Sequence, residues 1–295
     1  MGILDGKAIV ITGAGRGLGE AYALHAAWAG ASVVVNDIDG ELAEAVAAHI
    51  ARQGGRAVAS AQSVRDPDQA SGVIDRCLAE FGRVDGLVNN AALNHEGLPW
   101  EEDVQTAREL IEVNVLGVLY CSIAAARVMR RQGAGSIVNI SSGASFGQRC
   151  AGTYSASKGA VVSLTYSWAL DLAEAGVRVN AVSPLAWTRM VESASPAIQL
   201  HVTPERTPDR VAPLITYLLS ERAEGITGQL IRFTGDQLLL VRQPGFKDPV
   251  LRRDSWTTED IAAAFDGTLD QHLEPFGFEK QTPPRLRVAN ALPAG

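Results

Sequence analysis

The chain has 295 residues, 46% hydrophobic and 20% charged, with a net charge of −7. That is enough apolar material for a sizeable core, and the negative balance argues against nucleic acid or an anionic membrane surface as partner, since both need basic patches. Cys77, Cys121 and Cys150 are too few and too widely spaced for a disulfide framework, which fits a reducing, cytoplasmic setting. The N-terminus shows no signal-peptide pattern, and no apolar stretch of the about 18 residues that a membrane span requires is expected.

Short apolar runs alternate with longer helical patterns along most of the chain. The pattern predicts a strand over 7–12, an Ala-rich helix over 18–29, a strand over 32–36 and a helix over 41–53. A third strand follows at 56–61, then a helix over 67–81 with proline at its start, where a missing N–H costs nothing. Strands at 84–89 and 136–141 flank a long helical stretch, 104–131. A helix over 153–174, a strand at 177–182, a helix over 208–220 and a last strand at 229–233 complete the series. Continuous apolar strands between amphipathic helices predict a parallel sheet covered on both faces. This is an α/β, Rossmann-like doubly wound fold.

The composition changes near Gly235. Residues 241–295 hold six of the thirteen prolines, and their one convincing element is a helix from about Thr258, capped by Thr257 with Asp260 at the reciprocal position. The expected organisation is a single domain over 1–240 and an extension over 241–295 that wraps it or a neighbouring subunit.

Thr12-Gly13-Ala14-Gly15-Arg16-Gly17-Leu18-Gly19 joins the first strand to the first helix. The glycines allow a tight turn and a close approach of backbone to a pyrophosphate, and the helix start offers free N–H groups and a positive dipole end. Asp37 follows at the end of the second strand, eighteen residues past Gly19, placed to accept hydrogen bonds from ribose hydroxyls. Its charge would repel a 2′-phosphate, and no Arg or Lys follows closely, so NAD rather than NADP is expected. Arg16 and Leu18 stand in the same turn and belong to the expected cofactor site.

Tyr154-Ser155-Ala156-Ser157-Lys158 puts Tyr154 and Lys158 at i and i+4, on one face of a helix. A free phenol ionises near pH ~10, too high for a base at neutral pH. A neighbouring ammonium and a positive nicotinamide ring both favour the phenolate. The preceding strand ends Ile140-Ser141-Ser142, so hydroxyls lie at the carboxyl edge of the sheet, where ligands of such folds bind.

On these motifs, over about residues 4–235, the chain resembles the short-chain dehydrogenase/reductase family. Thr12–Gly19 is similar to its phosphate-binding motif, Asn89-Asn90-Ala91 to its strand-stabilising motif, and Asn114, Ser142, Tyr154 and Lys158 to its catalytic tetrad. The resemblance implies that Tyr154 is the acid/base and that Ser142 polarises the substrate oxygen. It further implies that Lys158 lowers the Tyr154 pKa and holds the nicotinamide ribose, and that Asn114 anchors a proton-relay water. Ser63, Val64, Asn90, Pro184 and Thr188 join the implied cofactor contacts, with Thr188 on the carboxamide. Ser63-Val64 replaces the usual Asp-Val, Ala92 and Leu185 stand where glycines are usual, and Asp236 interrupts a terminal Asp-Gly-Gly. Ser142 lies twelve residues before Tyr154, one short of the common spacing, which Ser141 would restore; Ser142 is preferred.

The expected activity is NAD-dependent interconversion of a secondary alcohol and a ketone. Val34–Asp37, Ser183–Met190 and the tail are similar to a subgroup acting on hydroxyacyl-CoA thioesters and steroid-like ketones. Two other readings compete: a non-catalytic NAD-binding regulator, which has no use for Tyr154, Lys158 and Asn114 together, and a serine hydrolase using Ser145 in Gly143-Ala144-Ser145-Phe146-Gly147. The five histidines show no metal-ligand spacing, so no metal is expected. Broad apolar faces on the helices near 104–131 and 153–174 imply a homodimer or homotetramer. The segment 191–207 is expected to form the pocket lid.

Overall fold

The structure, a computed structural model, describes residues 2–192, 199 and 202–289. Alternation of strand and helix gives β1 (Ala8–Thr12), α1 (Gly17–Trp28), β2 (Ser32–Asn36), α2 (Gly40–Arg52), β3 (Arg56–Ser60), α3 (Pro67–Phe81) and β4 (Gly86–Asn89). Then come α4 (Val104–Ile111), α5 (Gly117–Gln132), β5 (Gly135–Ile140), α6 (Gly152–Asp171), β6 (Val177–Pro184) and α7 (Arg189–Glu192). The chain continues with α8 (Ala212–Leu219), β7 (Leu230–Phe233), β8 (Leu238–Leu240), α9 (Thr258–Gly267) and α10 (Pro284–Ala289).

The strands form one sheet in the order β3-β2-β1-β4-β5-β6-β7-β8, parallel except for the β7–β8 pair. Every residue of β1 and β4 is buried, as a sheet covered on both faces demands. Tyr22 of α1, Val46 and Ile50 of α2 and Ile215 and Leu218 of α8 pack on one face. Val73 and Ile74 of α3 and Cys121, Val128 and Met129 of α5 pack on the other. Strand order reverses between β1 and β4, which opens a crevice at their carboxyl ends. A buried polar chain holds that side together: Asn89 Nδ2 donates to Ser122 Oγ and to Asn139 Oδ1, each at 2.8 Å, and Asn139 Nδ2 donates to Thr165 Oγ1 at 3.0 Å.

The expected strands and helices are present, with four differences. The helical stretch from Val104 is not uniform, because Glu112–Leu116 forms a π-turn between α4 and α5. The whole run, Val104–Gln132, is also 29 residues long and apolar enough by length and composition to cross a membrane, which corrects the reading that no such stretch exists. Here it covers the sheet, packed on α3, β4 and β5, but only 39% of its most apolar part is buried, so an apolar face is left over. The helix expected over 208–220 begins as a 3-10 turn, Pro208–Arg210, before α8.

The fourth difference is β8. Thr234-Gly235-Asp236 is a hairpin turn, with Gly235 at φ +86° and the Gln237 N–H donating to Thr234 Oγ1 at 3.1 Å. The chain folds back so that Ile231 pairs with Leu240 and Phe233 with Leu238. A Gly-Asp turn between apolar runs was the signal for it.

The tail forms its expected capped helix: Thr257 Oγ1 accepts from Asp260 N–H at 3.1 Å, and Asp260 Oδ2 accepts from Thr257 N–H at 3.1 Å. It then returns to its own chain. Phe278 N–H donates to Gly147 O at 2.7 Å, in the loop between β5 and α6.

Candidate active site

The turn after β1 is built to leave space and donors. A side chain at Gly19 would lie 2.1 Å from Gly13 O and 2.6 Å from Asn90 Nδ2, so α1 can approach β1 this closely only with glycine there. Gly13, at φ +62°, turns against Ala91. Asn90 Nδ2 donates to Thr12 O at 3.0 Å and to Gly13 O at 2.9 Å, while Thr12 Oγ1 accepts from the N–H groups of Asn90 and Ala91 at 3.0 and 3.1 Å. Thr12 is thus a buried pin between β1 and β4, legible only as the residue before the first glycine.

Starts of α2, α3 and α4 are capped by Asp39, Asp66 and Asp103. The start of α1 has no side-chain cap, and the Arg16 side chain stands exposed beside it. Uncapped N–H groups at a helix start suit phosphate. A methyl group on Gly17 would meet nothing nearer than Thr188 Cγ2 at 4.0 Å, so the segment after β6 closes over the same turn.

Asp37 is 7% exposed. Its Oδ2 accepts from Gly15 N–H at 2.9 Å and its Oδ1 from Asp39 N–H at 3.0 Å. The carboxylate therefore holds the glycine turn as well as facing the crevice, a double duty that spacing alone did not reveal. Ser63 N–H donates to Gln69 Oε1, and Ser63 Oγ accepts from Arg65 N–H at 3.2 Å, so its hydroxyl is occupied with its own loop. Val64 packs on Gly117 of α5. Ala92 and Leu185, where glycines are usual in the family resembled, lie outside the left-handed region, so their side chains bring no strain.

Across the crevice, α6 presents Tyr154 and Lys158. Lys158 is 4% exposed and its Nζ donates to Ile140 O at 2.8 Å. An ammonium has three donors, and this carbonyl is the one acceptor it meets among the described residues, which leaves buried donors facing the crevice. Burial pushes the Lys158 pKa down to about 8. Tyr154 is partly exposed as a residue, but its hydroxyl end is buried, and that burial pushes its pKa up. Hydrogen bonding from the Ser142 side chain works the other way.

The expectation that Lys158 brings Tyr154 down is therefore not met by the protein alone. The Lys158 ammonium sits 5.7 Å from the Tyr154 ring centroid and is directed at Ile140, so desolvation wins.

Of the two candidate serines, Ser142 is the one whose side chain bears on the phenol. Ser141 is 3% exposed and donates to Lys158 O at 3.1 Å, on the helix-facing side. Asn114 lies in the π-turn, fully buried. Its Oδ1 accepts from Leu93 N–H at 2.7 Å, and its Nδ2 donates to Leu93 O at 2.9 Å and to Ser157 Oγ at 3.1 Å. The side chain is committed, so any water it anchors must be held by its main chain. Ser157 Oγ in turn donates to Tyr154 O at 2.7 Å. That link was not predicted, although Ser157 lies three residues on from Tyr154, on the buried side of α6.

Ser145 Oγ is buried with no hydrogen-bond partner among the described residues, so no base is placed to activate it. Pro184 ends β6, beside Leu185, whose N–H donates to Phe233 O at 2.9 Å. Within the expected lid, 191–207, residues 193–198 and 200–201 lie outside the described residues.

A dinucleotide crevice facing a buried Tyr–Lys pair is an arrangement that sequence comparison recovers. Residues 7–198 match the family model for short chain dehydrogenases. The chain belongs to the short-chain dehydrogenase/reductase family. It is 35% identical over 246 residues to a 3-oxoacyl-[acyl-carrier-protein] reductase of Synechocystis sp., covering 81% of this chain and 100% of that one. Its fold is similar to a short chain dehydrogenase from Mycobacterium avium, with a TM-score of 0.82, 31% identity, and 96% and 98% of the two chains covered. It is similar also to a 7α-hydroxysteroid dehydrogenase solved with NADH and 7-oxo glycochenodeoxycholic acid, with a TM-score of 0.73, 33% identity, and 79% and 94% covered. As a family member this chain is an oxidoreductase acting on CH–OH groups, on a fold that takes a nicotinamide dinucleotide.

Proposed function

We propose that the protein interconverts a secondary alcohol and a ketone with NAD as the hydride carrier, on a substrate such as a hydroxyacyl thioester or a steroid-like ketone. One observation carries this reading: a phenol hydroxyl touched by Ser142 and an ammonium with spare donors lie buried on one face of α6, across the crevice from the uncapped start of α1. The nicotinamide ring would supply the hydride acceptor or donor.

The protein's own residues do the rest. Tyr154 moves the proton of the substrate oxygen, and Ser142 donates a hydrogen bond to that oxygen and to the phenol in turn. Lys158 offers its free N–H donors to the nicotinamide ribose, while Asn114 and Ser157 fix α6 against the loop after β4. Gly13, Arg16, Gly17, Leu18 and Gly19 form the pyrophosphate cradle with Asn90 behind it. Val64, Pro184 and Thr188 close over the nucleotide, with Ser63 reaching the adenine amino group by its main-chain carbonyl, since its N–H is held by Gln69.

NAD is favoured because the charge of the Asp37 carboxylate, held by two N–H donors, would repel a 2′-phosphate brought to the end of β2. The uncovered apolar face of Val104–Gln132 supports assembly into a dimer at least.

Tyr154→Phe tests the centre of this reading. The ring keeps its packing while the reacting oxygen is lost. Turnover of secondary alcohols is expected to fall by ~10²–10⁴-fold, with NAD binding by fluorescence titration retained. Near-normal turnover in the variant would overturn it.

A further inference from the structure

Arg232, on β7, has surroundings that the reaction does not use. Its strand position pairs with Ser183 of β6, and its Nη1 donates to Ser183 Oγ at 3.0 Å. The guanidinium lies over the ring of Phe278, from a turn in the tail closed by the antiparallel bridge between Phe276 and Gln281, 5.5 Å from the centroid. No carboxylate pairs with it among the described residues, and the charge that acts on it is a second cation, Arg206. Arg206 has its own partner, Asp236, at 3.6 Å. In a chain of net charge −7, a half-buried guanidinium beside another cation is out of balance, because a desolvated charge is normally paired.

Its position gives the imbalance a direction. A methyl group at Gly143 would lie 2.9 Å from Arg232 Nη1 and 2.8 Å from Phe278 Cε2. Gly143 follows Ser142 directly, and successive Cα atoms are ~3.8 Å apart. The unpaired guanidinium thus borders the backbone of the residue next to the hydroxyl that faces Tyr154. The tail holds it there: Phe278 N–H is bonded to Gly147 O, and Phe278 covers one face of the guanidinium.

We propose that Arg232, braced by Phe278 of the chain's own tail, is an anion-recognition residue that selects substrates carrying a carboxylate on the same small carbon skeleton as the reacting alcohol or ketone. This rests on the dehydrogenase reading above, and for its substrate it puts hydroxy and oxo acids in place of the neutral thioester and ketone named there. Arg suits the task because its planar fork matches both carboxylate oxygens and its charge is permanent.

The test uses matched acids and esters on the full chain with NAD: 4-hydroxycyclohexanecarboxylate and 3-hydroxybutyrate, each against its methyl ester. A charge-assisted hydrogen bond corresponds to about 10–100-fold in affinity. Wild type is expected to favour each acid in kcat/KM by about that factor. Arg232→Met should abolish the preference chiefly through KM, and Arg232→Lys should restore part of it. Binding is read separately by calorimetry with cyclohexanecarboxylate, which has no hydroxyl to oxidise, titrated into the NAD-loaded protein. Wild type should bind it and Arg232→Met should not.

If cyclohexanecarboxylate fails to bind wild type while Tyr154-dependent oxidation of the esters proceeds, the anion site is wrong and the dehydrogenase reading stands. If it binds through Arg232 while no alcohol is oxidised, the dehydrogenase reading fails instead. If Arg232→Met lowers acid and ester turnover alike, Arg232 only fastens the tail, and the proposal falls.

Discussion

Lys158 carries a buried charge, and the consequence is measurable in the protein without cofactor. It is 4% exposed, and burial lowers its pKa from 10.5 to about 8. In the unfolded chain it keeps its proton up to about 10.4. Between these values unfolding takes up a proton, so stability attributable to this residue rises with pH. Below about 8 both states are protonated and the penalty for the buried charge is fully present and constant. Each pH unit across the window is worth about 1.4 kcal/mol, so the whole penalty is about 3 kcal/mol as an upper bound.

Lys158→Met removes that penalty and also leaves Ile140 O without its donor, a loss of ~1–3 kcal/mol that does not vary with pH. Near pH 7 the two effects largely cancel, so stability at one pH is a poor measure. The difference between wild type and variant across pH is the informative quantity. Urea unfolding of both apo proteins from pH 7 to 10, at fixed protein concentration and with matching m-values, should show wild type gaining about 2–3 kcal/mol on the variant, all of it above pH 8. A difference that stays flat, or that changes only below pH 7, would refute the claim that the ammonium is desolvated. The same variant should bind NAD more weakly.

Three further outcomes are expected. Ser142→Ala should reduce turnover by ~10²-fold or more with NAD binding kept, whereas Ser141→Ala should chiefly lower the melting temperature, since its hydroxyl serves Lys158 O; the reverse ranking in steady-state kinetics would reassign the two serines. Asp37→Ala should narrow the preference for NAD over NADP and also weaken both, because Gly15 N–H loses its acceptor; binding titrations that show NADP tighter than NAD in wild type would defeat the cofactor choice. Light scattering at micromolar concentration should give at least twice the 31.2 kDa chain mass, and a monomer mass would remove the role given to the apolar face of Val104–Gln132.

The sequence alone determined the sheet and the two halves of the site, because both are written in local chemistry. Short apolar runs such as Val33–Val35 between turn residues point to buried strands, glycines at 13, 15, 17 and 19 point to a tight turn and a close helix approach, and Tyr154 and Lys158 share a face by helical period. Even the tail helix was legible, since Thr257 and Asp260 satisfy each other's backbone donors within one turn.

Tertiary structure decided what depends on partners far apart in the chain. It set the direction of the Lys158 ammonium toward Ile140, and it buried the Tyr154 hydroxyl, whose desolvation raises its pKa. It tied Asp37 to Gly15 and occupied the Asn114 amide with Leu93 and Ser157. Ser142 could be separated from Ser141 only once the side of β5 each one faces was known. Arg232 read as an ordinary strand residue until the fold set it against Gly143 and Phe278. Desolvation and charge balance are properties of what surrounds a group, and residues 46 apart in the chain, such as Arg232 and Phe278, become surroundings for each other only when the chain has folded.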